Sequence, residues 1–114
     1  MATERVERRL VTVLAADIAG YSRLTELDEE GTLARLRAHR RELIDPKIEE
    51  HGGRVVRAAD DSLLAEFASA TEAVRCAVEM QRGMIERNVN TAPDRRIAFR
   101  VGVNTGEVTT DDGI

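Results

Sequence analysis

Leu10 to Ala16 reads LVTVLAA, a short and nearly continuous apolar run rich in Leu and Val, with charge on both sides. Such a run predicts a fully buried strand, so the chain must build a sheet around it. Asp17 stands where that strand ends. Ile18, Ala19 and Gly20 then form a turn, and Tyr21 to Leu27 can make a short helix.

The rest of the chain supplies partners for this strand. Asp28 is a suitable N-cap for a longer helix, with Glu29 and Glu30 placed at the positive end of its dipole. Leu33, Leu36, Leu43, Ile44 and Ile48 recur mostly at three- and four-residue steps, as one buried stripe does. Pro46 interrupts that pattern and predicts a kink or a restart capped by Asp45, and Gly52-Gly53 ends the helix. Arg54 to Ala59 and Ser62 to Phe67 read as strands joined at Asp60-Asp61, a tight hairpin. Ser69 with Glu72 makes a capping box for a helix ending near Asn88. Ala70, Ala73, Val74, Ala77, Val78, Met84 and Ile85 are expected on its inner face, Cys76 at the edge of it and Met80 as core filling. Ile97, Phe99, Val101 and Val103 alternate as a strand does, Gly106 predicts a bend or bulge, and Glu107 to Thr110 continues the strand.

Apart from the short first helix, this order is β-α-β-β-α-β, an α+β, ferredoxin-like (split βαβ) antiparallel sheet with helices on one face. Residues 1–8 read as a lead-in and 9–114 as one domain, for which 114 residues suffice. Asp111, Asp112 and Gly113 form a turn signal with no strand after it, so the domain is expected to be incomplete at its C-terminus. Aromatic residues are only 3% and Trp is absent, which leaves the core to Leu, Val, Ile and Ala. A net charge of −4 argues against a nucleic-acid partner that needs a basic footprint. The Arg35, Arg37, Arg40 and Arg41 cluster is interleaved with acids and reads as a solvated face. A lone cysteine, a charged N-terminus and the lack of a membrane-length apolar segment point to a cytoplasmic protein. His39 and His51 lie twelve residues apart with no cysteine nearby, which is not a zinc spacing, and His51 is expected at a helix C-terminus.

In a split βαβ sheet the first strand is central and lies beside the hairpin, so its C-terminal end approaches the hairpin tip. Asp17 and Asp61 sit at those two places. Two carboxylates brought together are costly unless a cation neutralises them, and oxygen ligands suit Mg²⁺ or Mn²⁺. Beside Asp17, the stretch Ile18-Ala19-Gly20-Tyr21-Ser22 leads into a helix whose free N–H groups favour an anion. Singly, each feature is also ordinary turn and cap chemistry.

The segments LAADIAGYSRL (14–24), EEGTLARLRAHRRELIDPKIEEHGGRVV (29–56), LLAEFASATEAVRCAVEMQR (63–82) and FRVGVNTGEV (99–108) resemble the class III nucleotide cyclases, the adenylate and guanylate cyclase catalytic domain. The likeness runs from about Arg9 to Glu107. It implies that Asp17, Asp61 and the Ile18 carbonyl hold two Mg²⁺ or Mn²⁺ ions, and that the triphosphate of ATP or GTP rests on the N–H groups of Ala19, Gly20, Tyr21 and Ser22. A 3′,5′-cyclic nucleotide and pyrophosphate would be the products, for signal transduction. The resemblance also implies a homodimer, or pairing with another cyclase chain, with sites shared at the interface.

Three features depart from the family pattern. Asp60 stands where Gly is usual before the hairpin aspartate, and Arg57 where a purine-reading lysine is common. The family's second purine-reading residue and its transition-state Asn and Arg fall beyond the equivalent of Ile114. A non-catalytic module for dimerisation or metal–nucleotide binding is therefore the rival reading. A diguanylate cyclase is disfavoured, since its Gly-Gly-Asp/Glu-Glu-Phe hairpin is replaced by Ala59-Asp60-Asp61-Ser62. Losing preorganised charge donors of this kind costs about 10²–10³ in rate each. The 114-residue chain alone is thus expected to make no measurable cyclic nucleotide from ATP or GTP; product that disappears in Asp17→Ala would refute this.

Overall fold

The computed structural model describes residues 6–111, with side chains from 8 to 109. Its elements are β1 (Val6–Ile18), α1 (Tyr21–Leu27), α2 (Glu29–His39), a π-helical turn (Arg40–Ile44), α3 (Asp45–Glu50), β2 (Arg54–Ala59), β3 (Ser62–Phe67), α4 (Ala70–Asn88), a 3₁₀ turn (Pro93–Arg95) and β4 (Phe99–Asp111). The sheet is antiparallel in the order β2-β3-β1-β4, with β1 central. This is the expected α+β, split βαβ arrangement.

Pairing on both edges of β1 explains its length. It extends beyond Leu10–Ala16 to Val6–Ile18 because β4 accompanies it without interruption, from Val6 opposite Asp111 to Ile18 opposite Phe99. The first three residues of β1 thus fall within the segment read as a lead-in. Gly106 pairs in register with Val11, so the expected bend there is absent. The Asp112 and Gly113 part of the turn signal lies outside the described residues.

Helices cover one face of the sheet. Leu14 and Ala16 of β1, and Leu63, Ala65 and Phe67 of β3, pack against Ile44, Ile48, Ala73, Cys76 and Met80. A second cluster of Ile18, Leu24, Leu36, Met84 and Ile97 pins α1 and α2 to the end of β1. Burying the Leu24 side chain alone contributes about 1.5–3 kcal/mol, and it holds the Ile18–Gly20 turn in place. The inner face of α4 is Ala73, Cys76, Met80 and Met84. Ala70, Val74, Val78 and Ile85, expected inside, are exposed. Cys76 is at the centre of that face, and burial pushes its thiol up to about 11. Leu33 and Leu43 are only half-buried, while Thr32 and His39 fill the inner side of α2.

Pro46 does restart the helix, by a different device from the one expected. The turn before it widens so that the Asp45 N–H donates to Arg40 O, and no side chain caps α3. Asp45 instead receives two hydrogen bonds from Arg40, at 2.8 and 3.2 Å. α3 ends in a Schellman turn: Gly53 N–H donates to Ile48 O and Gly52 N–H to Glu49 O, with Gly52 at φ 76°. The caps at Asp28 and Ser69 are made by their side chains, to Gly31 N–H and Glu72 N–H. The Glu72 carboxylate does not complete the capping box; it turns to His51 and Arg75.

His39 accepts a hydrogen bond on Nδ1 from Arg87 Nε at 2.8 Å, joining the end of α2 to α4. Burial, and then the Arg87 charge, hold its imidazole below the ordinary value of 6.5. The unfolded chain therefore takes up a proton that the folded chain refuses, so stability falls as pH drops below that value. Urea denaturation at about pH 7.5 and about pH 5.5 should show a larger acid loss in the wild type than in His39→Gln; equal losses would show that His39 is not linked to folding.

Candidate functional site

Three segments meet at the C-terminal end of β1. The Ile18 N–H donates to Asp61 O at 3.1 Å, which seats the β2–β3 turn against the strand end. Asp17 lies opposite Ser62 of β3 on one side and Arg100 of β4 on the other. Alternation along β1 sends Ala16 and Ile18 to the helical face and Asp17 to the open one. There a concavity of about 540 Å³ is lined by Asp17, Arg57, Ser62, Leu64, Arg100 and Gly102.

Arg57 reaches this face through an irregularity. Val55 pairs with Ala65 and packs on the core, and Arg57, two residues on, would normally share its side. The register shift between Val55 and Arg57 places Arg57 opposite Leu64 instead, on the open side. Arg100 is the site residue that sequence reading missed. Its guanidinium holds Asp17 by two bonds, Nε to Oδ1 at 2.7 Å and an Nη to Oδ2 at 3.2 Å, and that pairing raises its own pKa further. The available signal was its position on the polar side of the alternating strand Ile97–Val103.

The lining of the concavity, among the described residues, includes Asp17 but not Asp61. Asp61 approaches from the turn, next to Tyr21, whose hydroxyl is shifted up by partial burial and then by the charges of Asp60 and Asp61. Gly20 caps α1 with φ 70° and ψ 33°, a left-handed conformation that favours glycine. Ala19 N–H is engaged with Ala98 O at 3.0 Å, and Leu24 N–H returns to Gly20 O. The opening turn of α1 leaves the N–H groups of Tyr21 and Ser22 without intrahelical partners, whereas Ala19, also an expected phosphate donor, is already bonded to Ala98. The donor set around Asp17, Asp61 and the Ile18 carbonyl is all oxygen, which fits Mg²⁺ or Mn²⁺.

The chain matches one domain family over nearly its whole length. The Adenylate and Guanylate cyclase catalytic domain matches residues 3–112. "Putative adenylate cyclase 3" of Rhizobium meliloti is 45% identical over 98% of this chain, which spans 19% of that protein. Serine/threonine-protein kinase pkn2 of Myxococcus xanthus is 32% identical over 96% of the chain, which spans 13% of it. Among solved structures, an adenylate/guanylate cyclase/hydrolase from Silicibacter pomeroyi superposes with a TM-score of 0.84 at 46% identity, covering 96% of this chain and 64% of that one. The guanylyl cyclase Cya2 superposes with a TM-score of 0.77 at 27% identity, covering 90% and 57%.

Arg100 and a divalent cation would compete for the Asp17 carboxylate. The pair is open to solvent, with side-chain exposures of 69% and 48%, so the competition is weak. Arg100→Met should tighten Mn²⁺ binding in the absence of nucleotide by about two- to fivefold, read by calorimetry; weaker Mn²⁺ binding would mean that Arg100 supports the carboxylate rather than competing for it.

Proposed function

Since the chain belongs to the adenylate and guanylate cyclase catalytic-domain family, we propose that it supplies one half-site of a class III cyclase acting on a purine nucleoside triphosphate. The observation that carries this reading is the junction of β1 with the β2–β3 turn, the Ile18–Asp61 backbone bond beside Asp17. It seats the turn that carries Asp61 against the end of β1, 44 positions away in sequence from Asp17, which borders a concavity that also contains two arginines.

Asp17, Asp61 and the Ile18 carbonyl are the residues to hold two Mg²⁺ or Mn²⁺ ions. Bound there, the ions would neutralise the carboxylates, lower the pKa of the ribose 3′-hydroxyl and offset triphosphate charge. The 3′-oxygen forms a bond to the α-phosphorus, the bond from that phosphorus to the pyrophosphate oxygen breaks, and the hydroxyl proton passes to solvent. This chain's residues bind and orient. The turn Gly20–Ser22 receives phosphate through the N–H groups of Tyr21 and Ser22, while Ala19 keeps its bond to Ala98. Arg57, with five donors and a fixed charge, faces the base in place of lysine. Arg100, released when Asp17 is neutralised, remains within reach of the phosphates. A homodimer or a second cyclase chain completes the site, and the setting is cytoplasmic. Among the described residues no helix is long and apolar enough to cross a membrane.

The Asp17–Arg100 pair also favours a second reading, a non-catalytic cyclase-like module, because Asp17 already has a cationic partner without metal. Calorimetric titration of a non-cyclisable ATP analogue with Mn²⁺, after circular dichroism shows a folded chain, separates the two in part. Metal-dependent binding should appear in the wild type and fall at least about tenfold in Asp17→Ala and Asp61→Ala, a loss of about 1.4 kcal/mol. A folded wild type that binds neither the ATP nor the GTP analogue removes the nucleotide site and leaves an interaction module.

A further inference from the structure

A second charged centre lies on the helical side of the sheet, away from the open face. His51 ends α3, and its side chain is only 8% exposed. Its Nδ1 is 2.8 Å from Glu72 Oε1 on α4, and an ionised carboxylate can only accept, so Nδ1 carries the proton. A neutral ring then presents the Nε2 lone pair to Glu79 Oε2, 2.9 Å away, two lone pairs facing each other. Nε2 is buried and makes no aligned hydrogen bond. Glu50, next in sequence, brings a third ligand atom, and those of Glu50, His51 and Glu79 all lie within 4.8 Å of one another. That arrangement needs a positive charge between its members, which a proton on the ring and the Lys47 ammonium supply when no metal is bound.

We propose that Glu50, His51 and Glu79 form a zinc site that staples α3 to α4, with Glu72 orienting the imidazole. One imidazole nitrogen and two carboxylates, with water in the fourth position, are a donor set that Zn²⁺ accepts and that Mg²⁺ does not favour. Two ligands of a tetrahedral zinc stand about 3.4 Å apart, so Nε2 and Glu79 need to separate only slightly to admit the ion. The Nδ1–H···Glu72 bond is the carboxylate–histidine support that metal-binding imidazoles commonly use. Lys47 is the resident competitor: its Nζ is 2.9 Å from Glu79 and 3.0 Å from Glu50. Its side chain is 30% exposed, so the ammonium can swing to water as zinc enters. Arg75, the other cation at the cluster, is bound to Glu72 and leaves the three ligands free. Sequence spacing conceals the site because Glu79 comes from another helix, 28 positions beyond His51.

The test is titration of Zn²⁺ alone, by calorimetry, into the 114-residue chain carrying Asp17→Ala and Asp61→Ala. This keeps the outcome independent of the nucleotide site. A single Zn²⁺ per chain is expected, with His51→Gln and Glu79→Gln each weakening it at least about tenfold and Glu72→Gln by about ten- to a hundredfold. Lys47→Met retains every ligand and loses the competing ammonium, so it should bind more tightly. No binding to the folded chain, affinity unchanged in His51→Gln and Glu79→Gln, or Lys47→Met binding no tighter would each overturn the proposal.

Discussion

The double pairing of β1 is the constraint on which the other elements depend. Six of its residues, Thr12 to Asp17, face β3, and the whole strand faces β4. Because helices cover only one side, β1 is not the fully buried strand expected: Leu10 and Ala15 are exposed, and from Leu14 to Ile18 each residue is assigned to core or open face by its parity. Leu14, Ala16 and Ile18 are sealed inward, and Asp17 necessarily points the other way. A one-residue slip would bury Asp17 and expose the core set, so burial of the apolar face also fixes where the acid stands. Ser62, Arg100 and the Asp61 turn are placed by the same register, since each is hydrogen-bonded or paired to the end of β1.

Charge is arranged differently on the two sides of the sheet. On the open side, Asp17, Arg57 and Arg100 border a concavity, and the Asp17–Arg100 pair is solvent-exposed and hence easily rearranged. On the helical side, His51 is enclosed by Glu72 and Glu79, with Lys47 bridging to Glu50. The Gly52-Gly53 turn that follows His51 runs directly into β2, the strand that carries Arg57 and ends at the Asp60-Asp61 turn. The Gly52-Gly53 turn is tight: a Cβ on Gly53 would run into the Phe67 ring, deep in the core. The two charged regions are therefore linked by one short strand whose start leaves little room to move.

Periodicity succeeded where a residue's environment follows from its immediate neighbours. The caps at Asp28 and Ser69, the Gly52 end of α3 and the Asp60-Asp61 turn are local hydrogen-bond arrangements, and the structure has them where the sequence pattern put them. It failed on α4, which carries two stripes at helical spacing. Val74, Val78 and Ile85 are the more hydrophobic set, yet Ile85 is 68% exposed, while Ala73, Cys76, Met80 and Met84 are buried. Close approach selects the stripe: Gly83 has Leu43 where a Cβ would be, at 2.6 Å, so this helix docks through its small and flexible residues. The bulge that turns Arg57 toward the open face, and the uninterrupted strand through Gly106, likewise depend on partners that local pattern does not name.

The sequence by itself determined the order of elements, the central strand and the two aspartates at its end, because apolar alternation and turn chemistry act over a few residues. It also carried the family likeness, in segments distributed along most of the chain. Only the tertiary structure decided which groups those aspartates meet. Arg100 reaches Asp17 across a strand pair and Glu79 reaches His51 across a helix pair. Charges attract or repel through space, without regard to their separation along the chain. Contacts 83 and 28 residues apart have no spacing rule, and packing alone brings them together.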